Sequence, residues 1–176
     1  MRKLSLDELK QGRIGVTKAY GAFLSEAAMF CLEENGHKGK IQLEVLGDFQ
    51  ETFELVWTDK VTKEVRDTWT DRKEAIEYAA TAIALLIIPM LTDFNVFKRT
   101  RGGTDYVLGK SNVLKAAQGK HISYLEISGI WKESSNNTVN MRVNLKKKQV
   151  EKTVIKAPAL VVVTEFHTPK TKIKQL

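Results

Sequence analysis

The sequence predicts an α/β domain, a mixed central sheet flanked by helices. Three observations carry that expectation. Ala159–Phe166 (Ala-Leu-Val-Val-Val-Thr-Glu-Phe) is a near-continuous apolar run of strand length, as a strand covered on both faces should be. Thr17–Asn35 and Asp71–Ile88 carry helix start and stop signals around apolar stretches. Short β-prone runs are mixed with these helices along the chain, which points to strands and helices in one domain.

Residues 1–15 read as a polar leader, with a short helix at Ser5–Gln11 where Ser5 and Glu8 have capping-box spacing. Thr17–Asn35 is expected to be helical, and Asn35-Gly36 stops it. On it Ala19, Phe23, Glu26, Phe30 and Glu33 follow helical spacing, so Glu26 shares a stripe with two phenylalanines. A rotation by one position would give that face to Ala22, Ser25 and Met29 and leave Glu26 on the surface.

Lys40–Leu46 and Phe53–Thr58 have the pattern of hairpin strands around Gly47-Asp48. Val61–Trp69 is polar and reads as a third strand. Asp71, with Glu74 three residues on, caps a helix that should run to about Ile88, because Pro89 disfavours helical backbone before it. Asn95–Thr100, Asp105–Leu108 and Ser123–Ser128 are strand-like, with Gly102-Gly103 as a tight turn. Residues 133–138 form a turn cluster. Val139–Lys152 is helix-compatible and presents Arg142, Leu145, Lys146 and Gln149 on one face. Thr168–Leu176 holds Lys170, Lys172 and Lys174 and reads as a flexible basic tail. The domain is therefore expected over 16–167, with 1–15 as leader, 168–176 as tail and 57–89 as an insertion carrying a core helix.

Charge and cysteine usage narrow the function classes. The 176 residues carry 28 Lys and Arg against 21 Asp and Glu, a formal charge of +7, which favours a polyanionic partner such as nucleic acid. The one cysteine, Cys31, excludes an internal disulfide framework and fits a reducing, cytoplasmic setting. Three scattered histidines (His37, His121 and His167) and one cysteine make a structural zinc site unlike this chain. The N-terminus lacks an apolar signal-peptide core. The apolar stretch Tyr78–Leu91, broken by Thr81 and Pro89, is short for a bilayer span and reads as a buried core helix, or as a dimer surface.

Two segments carry chemistry: Gly103–Gly109 (Gly-Thr-Asp-Tyr-Val-Leu-Gly) and Tyr124–Gly129 (Tyr-Leu-Glu-Ile-Ser-Gly). Each sets a carboxylate, Asp105 or Glu126, in or beside a β-prone run. Burying a carboxylate among aliphatic residues is costly unless a cation or donors satisfy it. Two on successive strands can meet at one end of a sheet and offer hard oxygens to Mg²⁺ or Mn²⁺. The plainer alternatives are a turn aspartate at 105 and a solvated face holding Tyr124, Glu126 and Ser128.

The order of these features (Glu on the first helix, Asp on one strand, Glu-x-Ser on the next) resembles the PD-(D/E)XK nuclease superfamily from Tyr20 to Phe166. Within it the chain resembles a bacterial family with Asp-Tyr-x-Leu-Gly and Leu-Glu-x-Ser-Gly patterns, a likeness that brings no activity with it. The wider resemblance implies a restriction-endonuclease-like fold and Mg²⁺- or Mn²⁺-dependent hydrolysis of nucleic acid, DNA before RNA. It implies that Asp105, Glu126 and the carbonyl of Ile127 bind the metal, with Glu26 as a further ligand or acceptor. It implies a catalytic lysine two residues after the Glu, where this chain has Ser128. Lys132, which shares strand parity with Glu126 if the strand continues, or Lys146 from the following helix could replace it. Otherwise the chain is a non-catalytic relative, a binding or interaction subunit. Arg142, Lys147, Lys148 and Gln149 would contact phosphates.

Overall fold

Residues Ala159–Glu165 form strand β7, and all of them are buried. The computed structural model describes residues 1–110, 123–153 and 157–176. Around β7 it builds an eight-stranded mixed sheet. The other strands are β1 (Arg2–Ser5), β2 (Lys40–Gly47), β3 (Glu51–Val56), β4 (Val96–Arg99), β5 (Tyr106–Gly109), β6 (Ser123–Ile130) and β8 (Lys170–Gln175), in the spatial order β1-β3-β2-β8-β7-β6-β5-β4. The helices are α1 (Lys18–Glu34), α2 (Lys63–Thr68), α3 (Arg72–Leu91) and α4 (Val139–Thr153).

Strands β4, β5 and β6 form an antiparallel meander, and α4 carries the chain over to β7, which is parallel to β6. A parallel pair needs such a crossover. The pleat sorts the side chains of β6 and β7 between two layers. Leu125, Ile127, Leu160 and Val162 join the main core with α1 and α3, while Val161, Val163 and Ile130 pack with Val139, Val143 and Val150 of α4. The β2–β3 hairpin is solvated on its far face: Leu43 and Val45 are buried, and Lys40, Gln42 and Glu44 are exposed.

Several expectations from sequence are corrected. The leader belongs to the fold: β1 pairs parallel to β3, a 3-10 helix follows at Leu6–Gln11, and Leu4, Leu6 and Leu9 are buried. Ser5 caps that helix by accepting from the Asp7 amide, not through Glu8. Val61–Trp69 is not a strand but contains α2, capped by Thr62. The tail is β8, hydrogen-bonded between β7 and β2, with Thr171 and Ile173 buried.

Helix α3 runs through Pro89 to Leu91. A proline removes the amide that would bond the carbonyl four residues back, here that of Leu85. The guanidinium of Arg13 donates to that oxygen at 2.6 Å, so the helix continues without an orphaned acceptor. Among the described residues α3 is the one helix long and apolar enough to cross a membrane. Its residues Ala79–Ile88 are all buried, and it packs on α1 and β6 within the same chain. It is thus a buried core helix, as its apolar sequence leads one to expect.

Candidate active site

Strand β6 outruns its neighbour. The β5–β6 ladder pairs Tyr106 with Leu125 and stops, while β6 continues to Ile130. Asp105 stands where the ladder ends. Its amide donates to the Leu125 carbonyl at 3.0 Å, and its carboxylate Oδ2 accepts from the Ile127 amide at 2.7 Å. The side chain thereby replaces the next strand residue and satisfies one backbone donor of the free edge. In an antiparallel ladder a residue exchanges both its N–H and its C=O with one neighbour, so the Ile127 carbonyl faces the same edge as the amide bonded to Asp105.

Glu126 follows the pleat to the α4 side. It is 3% exposed, and its Oε1 accepts from Lys146 Nζ at 2.6 Å. Burial pushes the Glu126 carboxyl above its ordinary value of 4.5; the Lys146 ammonium pulls it back, and the negative charge of Asp105 raises it further. Asp105, Glu126, Lys146 and Gln149 line one cleft of about 380 Å³, closed on the other side by the turn carrying Arg99 and Arg101. That turn is held by the Thr100 amide bonded to the Asp105 carbonyl at 3.1 Å, and by the Thr100 hydroxyl on the Thr104 carbonyl. Gly103 adopts φ +84° within it, a backbone state glycine takes without strain.

Ser128 lies one pleat repeat along the same face of β6. Its Oγ accepts from Arg142 Nη1 at 3.3 Å, and Arg142 Nη2 donates to Asn137 Oδ1 at 2.9 Å. The i, i+4 pair Arg142 and Lys146 therefore sets one cation at Ser128 and one at Glu126.

The structure brings Asp105, Glu126, Ile127, Lys146 and Gln149 together and leaves others out. Glu26 does not line the cleft. Its Oε1 accepts from the Trp69 indole at 3.0 Å, and Glu33 does the same for Trp57, so this stripe of α1 holds the 57–69 segment. Strand β6 ends at Ile130, so strand parity does not carry to Lys132, which is exposed and lines a neighbouring cavity. Lys147 pairs with Glu151 at 3.7 Å, and Lys148 is exposed. His121 lies outside the described residues. Arg99 and Arg101 are cleft residues that the sequence reading does not single out; their only signal is their place before Gly102-Gly103.

Among the described residues no three His, Cys, Asp or Glu side chains gather as a metal cluster. The donor set is two carboxylates and a backbone carbonyl. It matches the way Mg²⁺ is commonly held, by one or two carboxylates with water and substrate phosphate completing the shell. The Lys146 ammonium lies 2.6 Å from Glu126 Oε1. No family model matches this chain, and no curated protein or solved structure matches it with significance.

Proposed function

We propose that the protein is a metal-dependent phosphodiesterase acting on nucleic acid in the cytoplasm, with a restriction-endonuclease-like frame. The observation that carries this reading is the convergence of Asp105 and Glu126 on one cleft, with Lys146 bonded to Glu126. The meander β4–β5–β6 followed by the α4 crossover to β7 sets Asp and Glu in the order on which the resemblance rests. DNA is favoured over RNA by that resemblance alone.

Asp105, Glu126 and the Ile127 carbonyl are the groups that would hold Mg²⁺ or Mn²⁺. Bound there, the ion would polarise the scissile phosphate and lower the pKa of an attacking water. The chain's own residues do the rest. Lys146 supplies positive charge beside Glu126, in place of the lysine that Ser128 replaces. Arg142 adds a fixed guanidinium at Ser128. Arg99 and Arg101 face the cleft from the opposite wall, where they can neutralise phosphate oxygens.

A second reading, a non-catalytic interaction subunit, is favoured by one observation: the Lys146 ammonium lies 2.6 Å from Glu126 Oε1 and compensates its charge. The variants Asp105→Asn and Glu126→Gln separate the two. Asparagine keeps an oxygen for the Ile127 amide, so the ladder end survives while the charge goes. Cleavage of supercoiled and of end-labelled DNA in Mg²⁺ or Mn²⁺ should fall by about a hundredfold or more in each. Calorimetric Mn²⁺ binding should vanish, and circular dichroism should be unchanged. Wild-type protein that cuts neither DNA nor RNA in Mn²⁺, and binds no Mn²⁺ with substrate present, turns the reading to the interaction subunit instead.

A further inference from the structure

Beside the candidate active site lies a second concavity, of about 490 Å³, at the far end of β6. Arg72, Lys73, Lys132 and Arg142 line it with one carboxylate, Glu77, so cations outnumber anions four to one. No ion pair forms at any of these four cations among the described residues. Among the described residues Arg142 bonds the neutral oxygens of Ser128 and Asn137. The Arg72 guanidinium rests on the Trp131 ring, 4.8 Å from its centroid, which fixes its position without neutralising it. Arg72 and Lys73 also occupy the first turn of α3, where the helix dipole is positive and cations are disfavoured. Uncompensated charge of one sign gathered in a hollow is the electrostatic form of an anion site.

The two hollows are neighbours along β6 and α4. Arg142 and Ser128 line this one, and Ser128 is two residues from Glu126 on the same face of β6, about 6.8 Å along the strand. Building on the nuclease reading, we infer that this cavity binds a backbone phosphate of the substrate strand adjacent to the phosphate held at Asp105 and Glu126. The bound strand runs along the open edge of β6, anchored at one end by Arg72, Lys73 and Lys132.

The test is equilibrium binding of a fluorescein-labelled single-stranded DNA to the full chain, without divalent metal, across a salt series. The variant Arg72→Ala/Lys73→Ala/Lys132→Ala is compared with Lys3→Ala/Lys38→Ala/Lys40→Ala, which removes the same charge around the β1–β2 half of the sheet. The cavity variant should weaken binding by about tenfold or more and lower the salt slope by about two, whereas the control should stay within about twofold of wild type. Lys132→Glu, at an exposed position, should act in the same direction with an unchanged melting temperature. Cavity variants that bind like the control overturn the inference, as does a wild-type protein that binds no DNA. Mn²⁺ calorimetry on the same proteins reports the Asp105–Glu126 site separately. Loss of DNA affinity in the cavity variant, with neither Mn²⁺ binding nor Mn²⁺-dependent cleavage of bound substrate in wild type, sinks the nuclease reading but keeps the anion site. Retained Mn²⁺ binding with DNA affinity indifferent to the cavity does the reverse.

Discussion

At Glu126 burial and charge oppose one another, and the balance depends on one lysine. Burial raises the carboxyl above its ordinary 4.5, and Lys146 is the cation that offsets this. A carboxyl raised in the folded state favours the fold below its ordinary pKa and loses that contribution as pH rises through the folded value. Replacing Lys146 by Met removes the opposing charge and raises Glu126 further. Lys146→Met should therefore be less stable than wild type by roughly 1–3 kcal/mol at pH 7, short of a fully buried pair because the cleft admits water. The deficit should shrink as pH is lowered from 7 and Glu126 becomes protonated, because a neutral carboxyl no longer needs the cation. Urea midpoints of the two proteins across that range measure it. Adding Glu126→Gln should restore most of the loss at pH 7. A deficit that persists unchanged at low pH would mean that Lys146 stabilises by packing rather than by charge.

Helix α3 and strand β6 meet so closely that a glycine is required between them. A Cβ on Gly129 would lie 2.3 Å from Ile76 Cγ2 and 2.6 Å from the Ile76 carbonyl oxygen. The side-chain methyl can move, but the backbone of a central helix cannot do so without moving the end of β6. Gly129→Ala should thus destabilise by about 1–3 kcal/mol, read by thermal or urea unfolding. A neutral result would mean that α3 slides freely on the sheet.

The same two elements mark where sequence is legible and where it is not. Ala159–Glu165 is recognisable because burial on both faces leaves no polar alternation. The Glu126 strand is recognisable because strand parity separates Glu126 and Ser128 from Leu125 and Ile127. Lys146 follows from helical spacing with Arg142. Pro89 misleads because the donor that offsets it, Arg13, is 72 residues away from Leu85. Glu26 lies elsewhere because its stripe meets the tryptophans of the 57–69 segment: the Phe23 and Trp69 ring centroids are 4.9 Å apart, and the Glu26 carboxylate accepts a hydrogen bond from that indole. Arg99 and Arg101 reach the cleft only because the turn at 99–104 folds back toward the edge of β6, which no local pattern encodes.

At the scale of the whole molecule, the last strand joins two halves of the sheet. β8 pairs with β7 on one side and β2 on the other, so without it β1-β3-β2 and β7-β6-β5-β4 share no ladder. Its sequence resembles a solvated tail because Lys170, Lys172 and Lys174 alternate with Thr171 and Ile173. The two inward residues are fully buried, while the lysines extend along the surface to Glu133, Asn140 and Asp48. Two of those contacts hold the region that begins α4. Glu133, bonded by Lys170 at 2.6 Å, also accepts the Val139 amide at 2.7 Å, and Lys172 reaches Asn140. β8 therefore fixes the helix that brings Lys146 to Glu126. Removal of residues 170–176 should abolish cooperative unfolding, because it exposes both central edges and opens the core at Ile173. Ile173→Asp, which leaves the chain length intact, should cost about 3 kcal/mol or more by burying an unpaired charge. Calorimetric melting of both proteins checks this. A truncated chain that melts sharply near the wild-type temperature would show that each half of the sheet folds alone, with α4 held over β6 and β7 by their own packing.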